Sequence, residues 1–203
     1  MEEIWNKACR QYEIPDDVAS SWFTRIQQRL SQDTVARHYH NWQELLVSKQ
    51  ELLRDCKPSV VLAAFFQYYA FDGRLTCVAQ NCETFNEFCR DADLQDIDTK
   101  QLILKLLGDK SSVAVCCYDD EANQLQDMDL MILGSTPEEY KRYTQLLRQE
   151  YMCMNDADYK QMRLKVLQTL LMIPNIFACP EFQARYEQLA RTNIKQEIEE
   201  LKQ

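Results

Sequence analysis

Imidazole, carboxylate and thiol groups are the side chains best suited to hold a metal or move a proton near neutral pH, and this chain distributes them unevenly. Its 203 residues include only two histidines, His38 and His40, both inside Arg37-His38-Tyr39-His40-Asn41-Trp42. Either ring could act as an acid or ligate a divalent ion. On a helix, however, rings two positions apart point to different faces and cannot share one ion without a distorted backbone. The plainer reading is a pair of partly exposed or core histidines. Asp127-Met128-Asp129 supplies two carboxylates, but i and i+2 do not share a helical face. One is therefore expected inside and the other at a cap or in water. Nine cysteines are present, an odd number, with no CxxC pair. The spacing of Cys77, Cys82 and Cys89 is not that of a zinc site. Cys82 and Cys89 lie on one apolar stripe and read as small core residues. No serine sits in a GxSxG elbow, and no cysteine has a histidine close by in sequence.

Composition limits what could surround these groups. Gly 3 and Pro 5 are few, and all-β folds need many tight turns. The composition therefore argues for long helices and against a sandwich, a barrel or a glycine-rich phosphate cradle. Lys plus Arg is 23 against Asp plus Glu 32, a net charge of −9, which repels nucleic-acid backbones unless the cations cluster. No apolar stretch is long enough for a membrane span, the longest run falling near residues 60–66. The opening Met1-Glu2-Glu3-Ile4-Trp5 is acidic and lacks a signal-peptide pattern. With no secretory signal and an odd cysteine count, free thiols in a reducing, cytoplasmic setting are expected.

The elements that must position these residues are helical. Ile14-Pro15-Asp16-Asp17 opens a helix whose apolar positions are Val18, Trp22, Ile26 and Leu30. A second helix is expected from about Ala36 through Leu45, Leu46 and Leu53, ending at Pro58. Residues 59–71 are apolar on every side and should form a central buried helix. Val78, Cys82, Phe85 and Cys89 mark another, and residues 102–107 another, closed by Gly108 as a C′ residue. Residues 113–118 are ambiguous between a strand and a buried turn. Residues 125–133 read as a helix stopped by Gly134. Thr136-Pro137-Glu138-Glu139 is a capping box, and two further helices are expected over about 156–172 and from Pro180 onward. The result is an all-α single domain over residues 1–203, a helical bundle of roughly eight or nine helices.

Several of these segments, in order, carry a resemblance. Tyr39-His40-Asn41-Trp42, then Ala63-Ala64-Phe65-Phe66-Gln67-Tyr68-Tyr69-Ala70-Phe71-Asp72, then Asp127-Met128-Asp129-Leu130-Met131-Ile132-Leu133-Gly134 resemble the HD-domain metal-dependent phosphohydrolases. The subfamily is the small one with YHxxxH, FHD and DADLxxLG segments. Tyr140, Tyr143, Leu147, Arg148, Glu150 and Tyr151 continue its YxxYxxxIRxEY pattern. Arg163, Leu167, Ile176-Phe177, Glu187, Ala190-Arg191, Asn193-Ile194 and Glu197 extend it. The likeness covers about residues 18–200 and implies an all-helical HD-type fold.

The resemblance also implies a site of histidine and aspartate ligands for divalent metals, which generate a hydroxide and polarise phosphorus. Here the ligand positions are altered. Glu44 stands where a histidine follows the YHN segment, Gln67-Tyr68 replaces the HD pair, and a later histidine falls near Asp109. Asp129, or Asp127, remains, as does His40, whose counterpart in related enzymes is thought to protonate the leaving group. Such a site needs imidazoles from separate helices, and no register shift supplies them. The expectation is therefore a catalytically inactive homologue with no metal or other cofactor, acting on an unidentified protein or small-molecule partner, without nucleic acid or membrane. Tyr68 would fill space once held by metal and water. The alternative is a phosphohydrolase with an oxygen-only site for Mg²⁺ or Mn²⁺ built from Glu44, Asp109 and Asp129. Arg148, Arg163 and Arg191 are anion-binding candidates, with interhelical ion pairs the plainer use.

Overall fold

Sparse glycine and helical apolar spacing produce a predominantly helical structure among the described residues. The computed structural model describes residues 1–31, 37–72, 77–108 and 120–202, and among these residues there are α-helices and 3-10 turns but no β-strand. None of the described helices is long and apolar enough to cross a membrane. The chain divides into two compact units, Met1–Leu125 and Gln126–Gln203.

The first unit is built around helix α5 (Pro58–Phe66), with proline in its first turn and Ser59, Val60, Val61, Leu62, Ala63, Phe65 and Phe66 buried. Helices α1 (Glu2–Gln11), α6 (Val78–Asp91) and α7 (Ile97–Leu107) pack on it, and α2 (Asp16–Ser31) packs on α1. The core is aromatic. Trp5 lies 4.9 Å from Phe65 and 5.5 Å from Phe88 between ring centroids, and Trp22 meets Phe88 edge-on at 5.6 Å. Such pairs add about 0.5–1.5 kcal/mol each beyond area burial. The indole N–H groups are satisfied by Ala19 O at 2.8 Å for Trp5 and Asp91 Oδ2 at 3.0 Å for Trp22.

Several boundaries differ from the sequence expectation. Helix α1 is an additional element, for which Ile4, Trp5, Ala8 and Cys9 provide a buried stripe. Of the helix expected from about Ala36, residues 37–41 are not helical, and the first helical turn is α3 (Trp42–Leu45), where the Asn41 side chain accepts from Glu44 N–H. It then breaks into a 3-10 turn at Val47–Lys49 and α4 (Gln50–Arg54). His38 and His40 therefore precede the helix, and helical phase does not govern where their rings point. Helix α5 ends at Phe66 rather than Phe71. These breaks explain why eleven α-helices occur among the described residues, more than the eight or nine expected. Residues 113–118 lie outside the described residues.

Two chain reversals in the first unit are made without glycine. Glu13 (φ 54°) and Asp93 (φ 47°) adopt left-handed backbone after α1 and α6, with Ile14 N–H reaching Cys9 O at 3.2 Å and Leu94 N–H reaching Cys89 O at 3.0 Å. This is the hydrogen-bond pattern that glycine usually closes. Gly108, expected in that role, is extended at φ −68°, ψ 179°.

Helix α8 (Asp120–Leu130) contains the division between the units and gives way to a 3-10 turn, Met131–Gly134. In the second unit, α9 (Pro137–Glu150) starts from the expected capping box. Thr136 N–H donates to Glu139 Oε2 at 3.1 Å, and Glu139 N–H donates to Thr136 Oγ1 at 3.3 Å. Helices α10 (Asp156–Met172) and α11 (Pro180–Lys202) follow where expected. Helix α11 packs against the 3-10 turn and against α10, and Asn193 Nδ2 holds the turn through Leu133 O and Ser135 O, both at 2.9 Å.

Candidate functional site

In the first unit, His40 is clasped by aromatic rings. Its ring centroid is 4.8 Å from that of Tyr68 and 4.6 Å from that of Phe71. Arg37 fixes this arrangement from a buried position. Its Nη1 donates to His40 O at 3.0 Å and Tyr68 O at 2.9 Å, and its Nη2 donates to Tyr69 O at 2.9 Å. The Tyr68 and Tyr69 carbonyls lie just past the end of α5, where intrahelical donors run out. A guanidinium is suited to the task because it presents several donors in one plane. Gln67 is 4 % exposed, and its carbonyl accepts from Asn81 Nδ2 at 2.6 Å while Asn81 Oδ1 accepts from Ala70 N–H at 2.6 Å. Glu44 lies half-buried on α3. His40 and Tyr68 are thus brought together, as ring against ring.

In the second unit, Asp127 is fully buried. Its Oδ1 accepts from Ala178 N–H at 2.9 Å and its Oδ2 from Cys179 N–H at 2.7 Å. The carboxylate thereby satisfies the backbone just ahead of α11. Burial pushes its carboxyl above the ordinary carboxylate range, against the opposing pull of those N–H groups. Asp129 is half-buried on α8. As the sequence suggested, Asp127 points inward and its neighbour two positions on differs in environment. Removing the buried acceptor in Asp127→Ala leaves two backbone donors short of partners. We expect a loss of about 2 kcal/mol in unfolding free energy, read from urea denaturation. Unchanged stability would refute a structural role for this carboxylate.

The three arginines direct their donors onto the chain itself. Arg163 Nε and Nη2 fork onto Glu197 Oε1 and Oε2 at 2.8 and 3.0 Å. Arg191 Nε meets Glu187 Oε1 at 2.7 Å, and its Nη2 meets Pro174 O at 2.7 Å and Ile173 O at 2.9 Å, closing the end of α10. Glu187 in turn accepts from Ile176 N–H at 2.9 Å. Arg148 donates to Tyr151 O at 2.8 Å and to Asp156 Oδ1 at 2.5 Å. All three side chains tie local backbone or neighbouring helices together.

Asp109 lies outside the described residues. Among the described residues, no group of three or more His, Cys, Asp or Glu side chains is placed to hold a metal ion. The donor chemistry does not fit the metal centre that the HD resemblance implies. An amide and a phenol stand at the paired position, and both oxygens of Asp127 already accept backbone N–H groups.

Comparison with models of known protein families, with curated proteins and with solved structures returns no match.

Residue pattern alone gives Arg37 and Asn81 no role. Arg37 adjoins the histidine segment, a position that could have drawn attention to it. Asn81 sits within an ordinary amphipathic helix and gives no local signal, because its role depends on the carbonyl of Gln67 fourteen positions earlier.

Proposed function

We propose that this chain is a non-catalytic relative of the HD phosphohydrolases that acts by binding a protein or small-molecule partner in a reducing, cytoplasmic environment. The observation that carries this reading is the use of Asp127. This carboxylate, one of the two (Asp129 or Asp127) that the resemblance offers as the remaining metal ligand, closes the backbone ahead of α11. Two features agree with it. Gln67 and Tyr68 offer no imidazole or carboxylate where the resemblance expects both. His40 is packed against the Tyr68 and Phe71 rings. Neutral groups in place of ionised ligands also relieve the mutual repulsion that an empty carboxylate site would carry.

Elemental analysis of protein purified without a histidine tag tests this, together with a phosphate-ester screen in Mg²⁺ and in Mn²⁺. The expected result is metal far below stoichiometry and phosphate release at background. Stoichiometric Fe, Mn or Zn would overturn the proposal. So would metal-dependent phosphate release abolished by Asp129→Asn, which would instead support the oxygen-ligand enzyme.

A further inference from the structure

Helix α10 packs on α11 and buries Tyr159, Arg163 and Leu167, but another of its faces is open. Asp158, Met162, Lys165, Thr169 and Met172 recur at alternating spacings of four and three. That spacing places them on one seam along the helix. Met162 is half-buried and the other four are exposed. Val166, beside the seam, is 44 % exposed, and Met172 is 84 % exposed. Among the described residues, the exposed large apolar side chains are Ile97, Met152, Val166 and Met172. Three of these four lie on α10 or in the turn that leads into it. Apolar side chains gathered in this way mark an interaction surface, whereas scattered ones carry no such meaning. Methionine suits such a surface because its unbranched thioether moulds to the opposing side chains.

The charges on the seam select what covers it. Lys165 has no ion pair among the described residues, and the Asp158 carboxylate accepts from a neutral group, the Asn155 amide, at 2.8 Å. A second α10 lying parallel and in register would set Asp158 on Asp158 and Lys165 on Lys165, both repulsive. A second α10 lying antiparallel and centred on Met162 sets each Asp158 beside the Lys165 of the other copy. The same register brings the two Met162 side chains together at the axis. It also brings Met172 level with Met152 of the other copy, since both lie ten positions from Met162. Moving the centre to Lys165 would bring the two lysines together, so the charges fix the register as well as the direction.

We propose that this face of α10 binds a second copy of the chain in an antiparallel, two-fold arrangement centred on Met162, with reciprocal Asp158–Lys165 ion pairs. A two-fold contact is self-complementary, each residue meeting on the other copy the residue that meets it in return. One helix face is small beside the standard interface of about 1,600 Å². The dimer is therefore reversible, with an expected dissociation constant of about 10–100 µM. This pairing goes beyond the phosphohydrolase reading and does not depend on it.

The test is sedimentation equilibrium of the full chain at low salt, from about 5 to 500 µM. The average mass should rise with concentration from that of the 24.1 kDa monomer toward that of the dimer. Asp158→Lys and Lys165→Asp, each alone, turn two attractions into two repulsions and should weaken association about tenfold. An equimolar mixture of these two variants should associate as tightly as the parent chain, because each position 158 again faces the opposite charge at position 165. Val166→Glu faces Asp158 of the other copy in this register and should weaken association as well, a second measurement if the change in the first turn impairs folding. Lys195→Asp, exposed on α11, should leave association unchanged. A monomer at every concentration overturns the proposal and assigns the face to a different protein. A mixture no tighter than the separate variants overturns the antiparallel pairing.

Discussion

Glu197→Ala is expected to lower the unfolding free energy by about 3–5 kcal/mol, because it leaves a buried arginine without its counter-charge. Arg163 and Glu197 are 6 % and 8 % exposed and meet through a two-pronged contact at 2.8 and 3.0 Å. Tyr140 also donates its hydroxyl to Glu197, and the Arg163 guanidinium lies 5.5 Å from the Tyr143 ring centroid. Burial first, and the Glu197 charge next, push the Tyr140 hydroxyl far above the ordinary tyrosine range, so it remains a donor at every physiological pH. Tyr159 beside them is pushed up to about 12, chiefly by burial. The guanidinium stays charged despite its burial because the Glu197 carboxylate faces it. Truncation at Glu197 thus strands a cation and a hydroxyl together. Urea unfolding of the single variants and of Arg163→Met, Glu197→Leu forms the appropriate cycle. The pair replacement should recover much of the loss, since apolar substitutes avoid the desolvation cost of both ions. A loss below about 1 kcal/mol for Glu197→Ala would show that the pair behaves like an exposed ion pair.

Gly134→Ala is the second large expected effect, about 3 kcal/mol of destabilisation, at the upper end of ordinary overpacking. A Cβ at Gly134 would stand 2.6 Å from both Tyr186 Cβ and Tyr186 O and 2.9 Å from Tyr186 Cα. These atoms belong to the backbone of α11 or the root of its side chain, so no rotamer change can relieve the clash. The turn must separate from the helix instead, which weakens the Asn193 hydrogen bonds to Leu133 O and Ser135 O. Thermal unfolding of the variant measures the effect, and a melting temperature equal to that of the parent would rule out so close an approach. The glycine is required here by proximity; its backbone has no unusual φ.

The helical class is legible in the residue pattern alone because it depends on local signals. Few glycines, apolar residues at helical spacing, Pro58 and Pro180 in first turns and the Thr136–Glu139 capping box each act within a few residues of one another. Where a neighbouring element competes, those signals lose. Residues 37–41 carry no helix breaker, yet Arg37 draws the segment toward carbonyls of Tyr68 and Tyr69 about thirty positions away. Helix therefore starts at Trp42. The aromatic run through Phe71 ends its helix early as Arg37 and Asn81 take up the carbonyls and amides beyond it.

The candidate site divides along the same line. Histidine poverty, the missing HD pair and the split environments of Asp127 and Asp129 could be read from residue types and spacing alone, since they depend on identity and helical phase. The partners of Asp127 and Arg163, and the carbonyls that Arg191 meets at Ile173 and Pro174, could not be read that way. Each is a hydrogen bond between positions 17 to 52 residues apart, and which acceptor a buried charge meets is set by the packing that removes water around it.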